Sequence, residues 1–123
     1  MKTWTGAYAV LLAAATLAAC GGSKPAGCVT VSGDVAQAIV DGATGDLSVG
    51  KGAAIRADSG VYYAAFNITA AGERKVGVWA LDEISPPGSI RAVDGFAQQF
   101  TRWPVLPGAN GSEKANDAKA CLG

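Results

Sequence analysis

The chain of 123 residues has no histidine and a single methionine. Without imidazole, the commonest general base, proton shuttle and metal ligand of proteins is missing, and Ser-His and Cys-His nucleophile systems are excluded with it. Net charge is absent as well: ten Lys/Arg balance ten Asp/Glu, scattered singly or in short pairs such as Arg74-Lys75 and Asp82-Glu83. A nucleic-acid partner calls for a clustered basic excess, so none is expected. The three cysteines form no CxxC pair, which leaves neither a thiol redox motif nor a zinc site indicated. The longest apolar run, Gly6 to Ala19, is shorter than the ~20 residues that cross about 30 Å of hydrocarbon. No cofactor and no metal are expected.

What is present begins with Leu17-Ala18-Ala19-Cys20, directly after that apolar run, with Lys2 supplying a positive start. Small residues and a leucine before a cysteine match a bacterial lipobox. Residues 1–19 are then a cleaved signal peptide, and Cys20, its thiol diacylated, becomes the first residue of an exported protein held to the outer face of the cytoplasmic membrane. An ordinary secretory signal cut after Ala18 or Ala19, or a retained spanning anchor, fits these residues less well. Each buried methylene contributes about 0.8 kcal/mol, so two acyl chains make a lasting attachment. Residues 20–27, with three glycines, Ser23 and Pro25, read as a flexible tether. A single domain over 28–123 follows.

With Cys20 given to lipid, Cys28 and Cys121 remain, one at each end of that domain. In an oxidising compartment they are a candidate disulfide; two separate buried thiols are the plainer alternative. Loop closure of this length is worth about 4–5 kcal/mol in the chain-entropy model, as an upper estimate.

Along the domain the hydrophobic period changes twice. Val35 and Ile39, four apart after Asp34, predict a short amphipathic helix over Ser32 to Asp41, stopped by Gly42 and Gly45. Leu47 and Val49 suggest a brief strand before a Gly50-Lys51-Gly52 turn, and Ala53 to Asp58 an edge strand. Val61 to Ile68 puts Tyr62, Ala64, Phe66 and Ile68 on one face and Val61, Tyr63 and Ala65 on the other, so both faces need cover. After an Ala71-Gly72 turn, Lys75 to Leu81 repeats the pattern and predicts an antiparallel hairpin, with Gly77 leaving room beside Trp79. A break at Ser85-Pro86-Pro87-Gly88 precedes a third strand, Ile90 to Val93. Phe96, Phe100 and Trp103, at i, i+4 and i+7, predict a helix over Gly95 to Arg102 whose aromatic stripe packs on the sheet. A last helix, Ser112 to Leu122, carries Ala115, Ala118 and Leu122, with Asn110 and Glu113 as a weak capping box. The expected architecture is α+β: a small antiparallel meander of three to four strands covered by two or three short helices.

The succession Val61-Tyr62-Tyr63-Ala64-Ala65, Val76-Gly77-Val78-Trp79-Ala80 and Ser89-Ile90-Arg91-Ala92-Val93-Asp94, followed by an aromatic helix and a late cysteine, resembles small actinobacterial lipoproteins of unknown function. The resemblance covers roughly Val61 to Trp103 and implies an exported, lipid-anchored protein. It supplies no catalytic residues.

No residue constellation names a reaction. Asp58, Asp82, Glu83 and Asp94 are loop acids from which a carboxylate-dependent hydrolase acting on envelope or extracellular material would need a pair across a cleft. Asp41 to Asp46 lacks the alternating ligands of a calcium loop. Tyr62, Trp79 and Trp103 join large apolar bodies to polar tips, which makes them the candidate binding surface for an envelope protein or cell-wall component. The expectation is a lipid-anchored, non-enzymatic binding or accessory module, with the membrane as partner through Cys20.

Overall fold

The computed structural model describes residues 24–84 and 86–123. The expected signal peptide, Cys20 and the first half of the expected tether therefore lie outside the described residues. The fold is α+β, an open antiparallel sheet of five strands in the order β1-β2-β3-β4-β5 with three helices. The elements are β1 (Val29–Thr30), α1 (Gly33–Asp41), β2 (Leu47–Arg56), β3 (Tyr62–Ala70), β4 (Glu73–Leu81), β5 (Ile90–Ala92), α2 (Gly95–Phe100) and α3 (Glu113–Leu122).

The expected hairpin is the centre of the sheet. β3 and β4 pair in unbroken register from Tyr62↔Leu81 to Ala70↔Glu73. Their two-residue turn places Ala71 at φ 52° and Gly72 at φ 80°, the paired positive values that let a tight turn follow the twist of its strands. The third expected strand is β5, paired to β4 from Trp79↔Ala92 to Leu81↔Ile90.

Two expectations for the strands are corrected. Gly50-Lys51-Gly52 is not a turn: β2 runs through it as one strand, and the register to β3 jumps between Val49↔Ile68 and Gly52↔Phe66. The extra residue is a bulge, a strand device that uses the same glycines as a turn. Nor is β2 an edge strand along its whole length, because the two-residue β1 pairs with Ala53 and Ala54.

Both sheet faces are covered, as the continuous apolar runs require. On one face Phe66, Ile68, Trp79 and Leu81 meet Val35 and Ile39 of α1 and Ala97 of α2. On the other, Ala53, Ile55, Ala65, Val78 and Ala80 meet Ala115, Ala118 and Cys121 of α3. Helix α1 holds the expected Val35 and Ile39 inside. Helix α3 buries Cys121 where Leu122 was expected, and its N-cap is Ser112, whose hydroxyl accepts from the Ala115 N–H. That geometry replaces the Asn110–Glu113 box.

Cys28 and Cys121 form a disulfide with Cα atoms 5.7 Å apart. It ties the start of β1 to the last turn of α3, joining the ends of the fold covalently.

Candidate functional site

Of the aromatic residues singled out in the sequence, Trp79 is not on any surface. It is fully buried, edge-on to Phe66 with ring centroids 6.0 Å apart, and its indole N–H donates to the Thr101 hydroxyl at 3.1 Å. That hydroxyl donates in turn to the Ala97 carbonyl, so the polar tip is satisfied inside the protein and needs no ligand. The expected gap beside it is real: a Cβ on Gly77 would lie 2.6 Å from the Trp79 ring. Trp103 is half-buried. Its indole occupies the space that a side chain on Gly42 would need, and its N–H donates to the Ile39 carbonyl, closing the C-terminus of α1. Tyr62 is half-buried against the same core. The three rings thus belong to one packed cluster, with Trp103 the more exposed of the two late tryptophans.

The aromatic stripe predicted for the Gly95 helix is distributed differently. Helix α2 stops at Phe100 and buries only Ala97 among its six residues. Asp94 is its N-cap, the carboxylate accepting from the Ala97 N–H at 2.9 Å. The same oxygen accepts from the Val78 N–H of β4 at 3.1 Å, so one side chain fixes how the helix leaves the sheet. With Ala97 turned inward, Phe96 is left 38% exposed and Phe100 half-buried. Their rings lie nearly parallel, centroids 6.4 Å apart, and the Lys75 ammonium stands 4.7 Å over Phe96. A cation over a ring face is attracted by its quadrupole. Lys75 also pairs with Glu73 at 2.9 Å, and its hydrogen bond and charge hold the Glu73 carboxyl below the ordinary glutamate value. The i, i+4 spacing of Phe96 and Phe100 gave the contact between them; nothing in it revealed that the small residue between them would be the buried one.

This stack is the most distinctive surface among the described residues. A shallow cavity of about 280 Å³ lies beside Phe100, lined by Thr44, Asp46 and Ala71. Elsewhere, Tyr62 borders an open pocket of about 390 Å³ with Arg56, Asp82 and Glu83. Of the acids considered for hydrolysis, Asp82, Glu83 and Asp58 are exposed, whereas Asp94 is 4% exposed and occupied by its cap. That corrects its reading as a loop acid: a helix start in contact with β4 buries it, with Lys119 of α3 at 3.9 Å as counter-charge. Among the described residues no three His, Cys, Asp or Glu side chains converge as a metal site, and no helix is long and apolar enough to cross a membrane. No family model, curated protein or solved structure matches the chain.

Proposed function

We propose that the chain is an exported lipoprotein, acylated at Cys20, whose domain serves as a non-enzymatic binding module at the outer face of the cytoplasmic membrane, for an envelope protein or a cell-wall component. The observation that carries the binding role is the exposed Phe96–Phe100 stack under Lys75. Exposed aromatic side chains are enriched where partners dock. The lipobox, the resemblance to small actinobacterial lipoproteins and a disulfide suited to an oxidising compartment support the location. Eight residue steps separate Cys20 from Cys28, so the tether spans at most about 29 Å and keeps the domain close to the bilayer. A carboxylate-dependent hydrolase is the second reading, supported by Asp82 and Glu83 beside Tyr62 and Arg56 in one pocket.

Two measurements test the main reading. Radioactive palmitate should label the wild type and not Cys20→Ala; equal labelling refutes the anchor. A photo-reactive amino acid placed at position 96 in growing cells should trap a discrete partner, while the same probe at position 83 should not. Trapping at 83 alone favours the hydrolase, and trapping at neither removes the binding role.

A further inference from the structure

The two edges of the sheet are finished differently. On β5, the Ala92 N–H donates to the Pro104 carbonyl at 2.8 Å and the Leu106 N–H donates to the Ala92 carbonyl at 2.9 Å, so a loop caps that edge. At the opposite edge β1 covers only Ala53 and Ala54. The outer edge of β2 from Leu47 to Gly52 carries no strand among the described residues, and Ser48, Gly50 and Lys51 are exposed along it. Unpaired strand edges are templates for a further strand.

A groove of about 430 Å³ runs beside this edge, between Thr30, Ser32 and Ala36 on one side and Gly50 to Gly52 on the other, with Phe66 in its lining. Gly50 and Gly52 present no side chain to hold off an incoming backbone; at Gly52 the Phe66 ring fills the space a Cβ would take. The ionisable residues lining the groove are Lys24 and Lys51, with no carboxylate among the lining residues. Lys24 lies alongside Gly123, while Lys51 has no ion-pair partner among the described residues.

We propose that this edge takes an extended acidic peptide segment of a partner protein by strand addition. The segment's backbone pairs with β2 next to β1, and its carboxylates meet Lys24 and Lys51. Lys51 on the edge would face its own copy across a pairing of identical chains, and that like charge favours an acidic strand over a second copy. The inference is independent of the Phe96–Phe100 stack, which sits on α2 near β4.

The test uses the full purified protein and three short, end-blocked probes. The first alternates threonine and glutamate, the second replaces glutamate by lysine, and the third is the first with alternate backbone nitrogens methylated. Fluorescence polarisation should show binding of the first only, and Lys51→Glu should weaken it by roughly tenfold or more, the scale of one lost charge contact. Amide exchange at residues 47–52 should slow with the first probe and not with the third. Equal binding of the methylated probe overturns strand addition in favour of simple charge attraction. Equal binding of acidic and basic probes overturns the charge argument. Binding of phosphatidylglycerol vesicles that Lys51→Glu abolishes, with no probe bound, assigns the lysines to the membrane and overturns the proposal.

Discussion

The two faces of the sheet are built from different materials. One is filled by large side chains, with Trp79, Phe66, Ile39, Ile68, Leu81 and Val35 almost wholly enclosed. The other is largely alanine, from Ala53, Ala65 and Ala80 on the sheet to Ala115 and Ala118 on α3, with Val78, Ile55 and Val93 as its larger members. Burial scales with apolar area, so α1 is held by the large side chains of Val35 and Ile39, whereas α3 presents the smaller Ala115, Ala118 and Cys121 and is reinforced covalently by Cys28–Cys121. Small residues bring α3 close to the strands; the disulfide keeps it there.

The largest effects should come from removing each face's principal support. Cys28→Ser with Cys121→Ser should lower stability by up to about 4–5 kcal/mol, from the chain entropy returned to the unfolded state. Trp79→Ala should cost about 3–5 kcal/mol, as a buried aromatic leaves a cavity. Urea denaturation reads both magnitudes, and hydrogen exchange separates the mechanisms. Loss of the disulfide should speed exchange in α3 and β1 first, while Trp79→Ala should weaken β3, β4, α1 and α2 together. Identical exchange patterns for the two variants would break the distinction between the faces.

Asp94 is where the faces meet, because it caps α2, accepts from β4 and lies 3.9 Å from Lys119 on α3. Asp94→Ala leaves two backbone N–H groups without their acceptor and should cost about 2–4 kcal/mol, measured by thermal or urea unfolding. Asp94→Asn keeps an acceptor oxygen and should cost less. If the alanine variant is neutral, the carboxylate is not the joint between the layers.

Much of this architecture was legible in the sequence because it rests on period. The β3–β4 hairpin announces itself through two apolar runs around Ala71-Gly72, and Val35 with Ile39 marks the inner face of α1. Where sequence reading failed, one local pattern has two structural outcomes. Gly50-Lys51-Gly52 suits a turn or a bulge, and only pairing with β3 decides between them. Val29–Thr30 is too short to carry any period. An aromatic i, i+4 pair suits a core stripe, but Asp94 sets the angle of α2 so that Ala97 faces inward. For the same reason the exposed ring is not one of those with a polar tip: the indole N–H groups of Trp79 and Trp103 have partners within the protein, and Phe96 is left at the surface.

That reversal gives a sharper test on the large-residue face. Phe96→Ala should change stability by no more than about 0.5–1 kcal/mol, since the ring is already in part solvated. Phe100→Ala should cost about 1–3 kcal/mol, less than a fully enclosed phenylalanine. If trapping by a probe moved to the exposed position 99 is abolished by Phe96→Ala while the melting temperature holds, recognition and packing are separable there. If Phe96→Ala unfolds the domain, the stack belongs to the core.

The smallest effect concerns the charge pair beside that stack. Lys75 lies 2.9 Å from the Glu73 carboxylate and 4.7 Å from the Phe96 ring centroid, so it serves both. Because Lys75 lowers the Glu73 carboxyl below its ordinary value in the folded protein, the pair's contribution is fully present above the unfolded carboxyl value. It is lost as pH falls through the folded value. Glu73→Gln should therefore melt slightly below the wild type at neutral pH, with the difference closing in acid. The Glu73 side chain is largely solvent-exposed, so the gap should be small, and molar salt, which shortens the screening length to about 3 Å, should erase it. The ring is the more sensitive reporter. Protonating Glu73 releases Lys75 from its carboxylate partner, and the Lys75 ε-methylene protons should then move further into the shielding region over Phe96. A wild-type shift that titrates with Glu73 and is absent from Glu73→Gln shows that carboxylate and ring compete for one ammonium. A flat profile means that Lys75 is positioned by the β4 backbone alone, and the stack's cation is then independent of its neighbour's charge.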